Sequence, residues 1–306
     1  MRPVDNDSEY AKNKVHGLTI AIIGVGLIGG SLALALKKKY PYYSILGIDH
    51  SIDTLQTSLE QRVIDLAMPL EQAVSQADIL ILCVPVGQTG MVLQACQPWL
   101  QAKTLITDVG STKLSVINSA RNILGKKISQ FIPAHPIAGS EQHGIKAARA
   151  NLFEHRKTIL CPLVEHRPED LQQIQSLWET IGAKCYLLSP EQHDAIFAAV
   201  SHLPHLLAYT YMAQIAHSDD MHIKLELAGS GFRDFTRIAG SSSEIWTDIF
   251  FSNHSALLRE IDAWQLLLAK VKSMIEHNQT NSLQHVLNEA AHLRQTWHDT
   301  DDSFND

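Results

Sequence analysis

Residues 18–36 read LTIAIIGVGLIGGSLALAL. The stretch carries no charge and is long enough to suggest a membrane span, but its glycines have another explanation. LTIAII, at 18–23, is a short β-branched run of the kind that forms a buried strand. Gly24, Gly26 and Gly29 then follow the spacing G-x-G-x-x-G, and the helix-like run behind them ends in Lys37, Lys38 and Lys39. The first glycine permits a tight turn, the second lets a pyrophosphate approach the backbone, and the third lets helix and strand pack closely. Leu27 and Ile28, between the second and third glycines, belong to the same predicted cofactor contact. The helix N-terminus faces the phosphates.

A second strand, SILGID, ends at Asp49, 20 residues past Gly29. A carboxylate at that place binds the adenosine ribose hydroxyls. It also repels a 2′-phosphate, so NAD is expected over NADP.

The chain has 306 residues, enough for two domains. Hydrophobic residues make up 45% and charged residues 19%, which fits an ordinary globular protein. The net charge of −7 argues against nucleic acid as a partner, because phosphate binding needs a basic surface. The polar segment at 1–17 does not suit a signal peptide, and no membrane span is expected. Cys83, Cys96, Cys161 and Cys185 form no C-x-x-C pair and read as reduced core thiols of a cytoplasmic protein.

Strand-like and helix-like runs continue to alternate. ADILILCVPV (77–86), TLITDVGS (104–111) and ISQFIPAHP (128–136) read as strands, and 88–100 and 113–124 as helices. Such alternation predicts a parallel, doubly wound Rossmann-type sheet, with ligands beyond the carboxyl ends of the strands. Those ends carry the glycine motif, Asp49, Val84, Pro85, Asp108, Ser111 and the stretch 134–140, closing with Ser140. His135 leaves its strand between Pro133 and Pro136, which fix the backbone and aim the ring. A histidine on an arbitrary loop is usually just solvated. At this edge it is a candidate acid–base group.

KTILCPL (157–163) and KCYLLS (184–189) read as two more strands that extend the sheet, with a helix at 168–181 between them. After residue 189 the strand signals stop. The expected division is a cofactor domain over 1–189 and an all-helical domain over 190–306, with helices at 253–277 and 281–298. Leu266, Leu267 and Leu268 on a single helical layer would need covering, which predicts a homodimer. The tail at 298–306 is acidic and expected to fray. In SHLPH, His202 and His205 are three apart, on one helical face if Pro204 allows. Two histidines without a carboxylate motif make a poor metal site, so no metal is expected. GSGFRDFTRIAGSSSEIW places Arg233, Asp234, Arg237 and Trp246 together, a setting in which arginine can grip a carboxylate bidentately.

The ordered set GVGLIGGS, DVGSTK, HPIAGSEQHG, SHLPH and GFRDFTRIA with a later tryptophan resembles the prephenate dehydrogenases of tyrosine biosynthesis, over roughly residues 18–250. The resemblance implies NAD-dependent oxidative decarboxylation of prephenate, with a helical dimerisation domain. It assigns proton removal to His135 and a bond to the same substrate hydroxyl to Ser111. Arg237 then holds the ring carboxylate, His205 lines the pocket and His202 supports it. Glu141 matches an acidic gating residue, Trp246 a pocket residue, and Asp234 a partner that orients its neighbourhood.

The nearest alternative is an arogenate or dual-specificity cyclohexadienyl dehydrogenase, which differs only in an amino for a keto side chain. A hydroxyisobutyrate or pyrroline-carboxylate enzyme would not explain HPIAGSEQ together with DFTR. An NAD(H)-binding regulator without turnover would leave His135, Ser111 and Arg237 unexplained.

Overall fold

The computed structural model describes residues 17–138 and 142–297. Ser140, Glu141 and the acidic tail lie outside the described residues. The first strand is β1 (Thr19–Ile23), and the helix behind the glycines is α1 (Leu27–Lys39). Then follow β2 (Ser44–Ile48), α2 (Ile52–Glu60), β3 (Leu66–Ala67), α3 (Leu70–Gln76), β4 (Ile79–Leu82), α4 (Thr89–Cys96), β5 (Leu105–Asp108), α5 (Leu114–Leu124) and β6 (Phe131–Ile132). These strands pair in parallel in the order β3-β2-β1-β4-β5-β6. That is the doubly wound Rossmann order, and its direction reverses between β1 and β4.

Alternate residues of each strand feed opposite cores. Ile20, Ile22, Ile79 and Ile81 pack with Leu32 and Leu36 of α1. Ala21, Ile23, Leu80 and Leu82 pack with Leu93 of α4 and Ile117 of α5. A sheet covered on both faces needs apolar residues at every position, so its strands read as continuous runs. Helix α1 is buried along most of its length as well. Together they account for the uncharged stretch at 18–36. Among the described residues no helix is long and apolar enough to cross a membrane.

Two expectations are corrected. Residues 128–136 are not one strand, and the later strands do not extend the main sheet. A 3-10 turn covers Gly125–Gln130, β6 ends at Ile132, and β7 (Ala134–Pro136) belongs to a second sheet. That sheet runs β7-β8-β9, with β8 (Lys157–Leu160) antiparallel to β7 and parallel to β9 (Lys184–Leu187). Pro133 is the cause, because it has no N–H to give a ladder. Its carbonyl instead accepts from Cys161 N at 3.0 Å, and Ala134 N turns to the Asp108 carboxylate at 3.1 Å.

Helix α6 (Pro168–Thr180) links β8 to β9. Ser189 and Gln192 then form a capping box that opens α7 (Pro190–Phe197). A π turn, Ala198–His202, leads into α8 (Leu203–Ala216). The remaining helices are α9 (Met221–Glu226), α10 (Ser230–Thr236), α11 (Ser243–Ser252), α12 (His254–Glu276) and α13 (Thr280–Thr296). Helix α13 buries no residue, and Leu258, Leu266, Leu267, Leu268 and Ile275 of α12 are exposed.

Candidate active site

The three glycines of the motif meet different surroundings. Gly24 has φ +92°, and a Cβ there would lie 2.3 Å from the Cys83 carbonyl oxygen. A Cβ on Gly29 would lie 2.1 Å from the Gly24 carbonyl oxygen. Both glycines are therefore required by the fold itself. Gly26 differs, because a Cβ there meets nothing within 4 Å. It is the N-cap of α1 and brings no capping side chain. Open space thus lies over orphan N–H groups at the positive end of a 13-residue helix, and that combination fits a pyrophosphate.

Leu27 and Ile28 sit half-buried in the first turn. Asp49 follows β2 directly, with Oδ2 accepting from Val25 N and Oδ1 from Ser51 N, both at 2.9 Å. Its carboxylate is thereby pinned to the glycine loop. Val84 is half-buried and Pro85 exposed at the end of β4. Asp108 is placed differently from a cofactor contact. It is buried, and its carboxylate accepts from Gly110 N, Ala134 N and Lys113 Nζ.

Lys113 is fully buried, with Nζ 2.6 Å from Asp108 Oδ2 and 2.7 Å from the Ala134 carbonyl oxygen. This buried pair fixes the turn that carries Ser111 against the strand that carries His135. Ser111 is half-buried, and its hydroxyl makes no hydrogen bond among the described residues.

The central feature is a chain of three side chains. His135 Nδ1 lies 2.8 Å from His193 Nε2, and His193 Nδ1 lies 2.8 Å from Asp194 Oδ1. Asp194 also accepts from Lys113 N at 2.8 Å and Leu114 N at 3.0 Å, at the start of α5. Burial opposes ionisation of Asp194, but the bonds from His193 and these two amides outweigh it and hold the carboxyl below its usual range.

An ionised carboxylate only accepts, so His193 Nδ1 carries a proton and donates it. Burial holds His193 below the usual imidazole range, so the ring is neutral and its Nε2 is an acceptor. His135 Nδ1 must then donate, which leaves a lone pair on His135 Nε2. Burial, then His193 and Lys113, hold His135 well below the imidazole range too. The result is a neutral ring with one fixed basic nitrogen that makes no bond to any described residue.

The helical half holds a second cluster. His205 stacks on Trp246 at 3.6 Å between ring centroids, and its Nδ1 donates to the Ser201 carbonyl at 2.9 Å. Burial, aided by the positive charge of Arg237, lowers the His205 pKa. Arg237 thus lies beside this stacked pair, at the start of the 3-10 turn after α10. Arg233 instead donates to the Ala228 carbonyl at 3.3 Å. Asp234 is exposed. His202 is buried and bonds to Asn253. Asp248 of α11 accepts from Gly87 N through both oxygens, at 3.0 and 2.8 Å, which ties the helical layer to the loop after β4. No group of three His, Cys, Asp or Glu among the described residues is arranged to hold a metal ion.

Residues 32–187 match the family described as prephenate dehydrogenase, nucleotide-binding domain. Residues 189–289 match prephenate dehydrogenase, dimerization domain. The chain belongs to the prephenate dehydrogenase family. It is 37% identical over 268 residues to a prephenate dehydrogenase of Bacillus subtilis, covering 87% of this chain and 72% of that one. It is 36% identical over 260 residues to a cyclohexadienyl dehydrogenase of Zymomonas mobilis, covering 84% and 88%. The crystal structure of the prephenate dehydrogenase from Aquifex aeolicus, in complex with hydroxyphenyl propionate and NAD+, superposes with a TM-score of 0.85 at 30% identity, covering 91% of this chain and 97% of that one.

Sequence reasoning missed His193, Asp194, Lys113, Asn253 and Asp248. Three of them left a signal. His193 and Asp194 form a His-Asp pair just behind a capping box, and Lys113 closes DVGSTK five residues after Asp108.

Proposed function

We propose that this protein catalyses the NAD-dependent oxidative decarboxylation of prephenate to 4-hydroxyphenylpyruvate and carbon dioxide, a step of tyrosine biosynthesis. The observation that carries the assignment of roles is the hydrogen-bond chain Asp194–His193–His135, which leaves one neutral, fixed basic nitrogen. Gly26 and the first turn of α1 cradle the pyrophosphate, Asp49 takes the ribose hydroxyls, and Leu27, Ile28, Val84 and Pro85 line the cofactor. Asp108 acts from behind, holding the Ser111 turn. Bound NAD+ supplies the hydride acceptor.

His135 Nε2 takes the proton of the ring hydroxyl as the C–H bond on the same carbon breaks. Ser111 bonds the same hydroxyl and orients it. Arg237 grips the ring carboxylate, which leaves as carbon dioxide while the ring becomes aromatic. Its role is to place the substrate rather than to hold the departing charge too tightly. His205, His202, Trp246 and Asp234 surround the remainder of the substrate, and the family resemblance adds Ser140 and Glu141 to the substrate-binding residues. The cofactor domain spans 1–189 and the helical domain 190–306. The chain forms a homodimer in the cytoplasm through the helical domain, as the dimerization-domain match and the exposed leucines of α12 support.

The Zymomonas relative favours a second reading, a dual-specificity enzyme that also takes arogenate. The test is NADH or NADPH formation with prephenate or arogenate, each with NAD+ or NADP+. Turnover of prephenate with NAD+ is expected. Turnover of both substrates selects the second reading. Turnover of neither, with NAD+ still bound, would replace the proposal with a regulator that has lost its chemistry.

A further inference from the structure

Asn253, at the junction of α11 and α12, is buried, and its amide nitrogen makes two bonds. Nδ2 lies 2.8 Å from the Asp194 carbonyl oxygen and 3.1 Å from His202 Nδ1. A backbone carbonyl can only accept, so the group facing it must be the NH2 end of the amide. The same NH2 therefore donates to His202 Nδ1, which carries no proton. Burial holds the His202 pKa down at about 4, although Asp194 pulls the other way, so at neutral pH the ring's single proton sits on Nε2. Nε2 makes no bond to any described residue.

We propose that Asn253 is a positioning residue that fixes His202 as a hydrogen-bond donor for an oxygen of the substrate. The inference rests on the proposed reading of this cleft as the prephenate site. Two neighbouring rings are then held in opposite senses. His135 offers a lone pair on Nε2, and His202 offers an N–H. One ring suits a hydroxyl that must lose its proton, and the other suits a carboxylate or keto oxygen.

The π turn makes this pairing possible. In an unbroken α-helix, residues nine apart such as His193 and His202 lie about 180° apart. The turn Ala198–His202 absorbs about one residue and brings His202 to within about 80° of His193. Both rings then face the interior, where Asn253 spans from one to the other through Asp194. The ionisable groups around His202 are Asp194 and His193 on α7 and His205 on α8.

The test is a long-range proton–nitrogen correlation on protein labelled with 15N-histidine, at neutral pH and without substrate. The His202 signals are assigned by their loss in His202→Gln. His202 Nδ1 is expected to show the pyridine-type shift of an unprotonated nitrogen. A pyrrole-type Nδ1 in the wild-type protein would overturn the proposal, whatever substrate the enzyme turns over. Asn253→Asp replaces the donor by an acceptor and should move the proton to Nδ1. It should also raise KM for prephenate about ten- to hundredfold, as loss of one bond to a charged group does, with KM for NAD+ unchanged. An unmoved proton in Asn253→Asp, or an unmoved KM beside a moved proton, would equally refute it. The wild-type spectrum decides the tautomer even if the variant fails to fold.

Discussion

Replacing Asp194 by asparagine should reverse the direction of the whole hydrogen-bond chain. The oxygen of the new amide can stay on Leu114 N, where Oδ2 now accepts at 3.0 Å. Its NH2 then occupies the place of Oδ1 and donates to His193 Nδ1. The His193 proton moves to Nε2 and is donated to His135 Nδ1. His135 must then carry its own proton on Nε2, the nitrogen that accepts the substrate proton in the proposed mechanism. The ring stays neutral and in place but can no longer act as a base.

The costs separate cleanly. One bond is lost outright, because Lys113 N now faces an NH2 instead of Oδ1 at 2.8 Å. An unmade bond of this kind costs about 1–3 kcal/mol of stability. The variant should therefore fold, with a lowered unfolding midpoint. Loss of a positioned general base costs about 10²–10⁴ in rate. The assay is steady-state NADH formation with prephenate, alongside thermal unfolding of the same sample. A large fall in kcat with KM for NAD+ within about twofold is expected. If kcat stays within about threefold of wild type in a folded variant, the tautomer argument fails and His135 is not held as a base by this chain.

Three further outcomes follow from the same geometry. Gly26→Ala should keep its unfolding midpoint but lose NAD+ affinity by titration, because its Cβ meets only the space assigned to the pyrophosphate, whereas Gly24→Ala should lose stability first, at φ +92° and 2.3 Å from a carbonyl oxygen. Acidification should destabilise the fold between about pH 6.5 and 4, because the unfolded chain protonates His202 near its reference value of about 6.5 while burial holds the folded value at about 4; this one group removes about 2 kcal/mol at pH 5, and denaturant titrations of wild type against His202→Gln should show the difference. Arg237→Gln should raise KM for prephenate by about one to two orders of magnitude with a smaller change in kcat, and an unchanged KM would move the carboxylate contact elsewhere.

What could be read directly from the chain was whatever answers a need within a few residues. Gly24 and Gly29 each meet a backbone demand of one turn, and β1 and α1 stand where their pattern puts them. The second sheet could not be read that way. Residues 128–136 carry a strand pattern, but which ladder they join depends on Pro133 withholding one N–H and on Lys157 to Leu160 arriving from far along the chain. His193 was equally hidden, because its partner His135 lies 58 positions away. Lys113 opens the run at 113–124 that reads as a helix, and only the fold reveals that it is sealed against Asp108.

The helical half reverses the lesson. There the pattern exceeds what the single chain can satisfy. Leu266, Leu267 and Leu268 remain exposed on α12, and α13 buries nothing. Exposed apolar faces of that extent call for a second surface. Asn253 stands at the first turn of the same long helix and holds His202. A surface that covers α12 therefore bears on the element that holds the His202 ring, proposed above to face the substrate. In the homodimer proposed above, association through that face would stiffen the helix that carries Asn253, so a monomeric variant made by charging Leu267 should bind prephenate more weakly while its NAD+ affinity is unchanged.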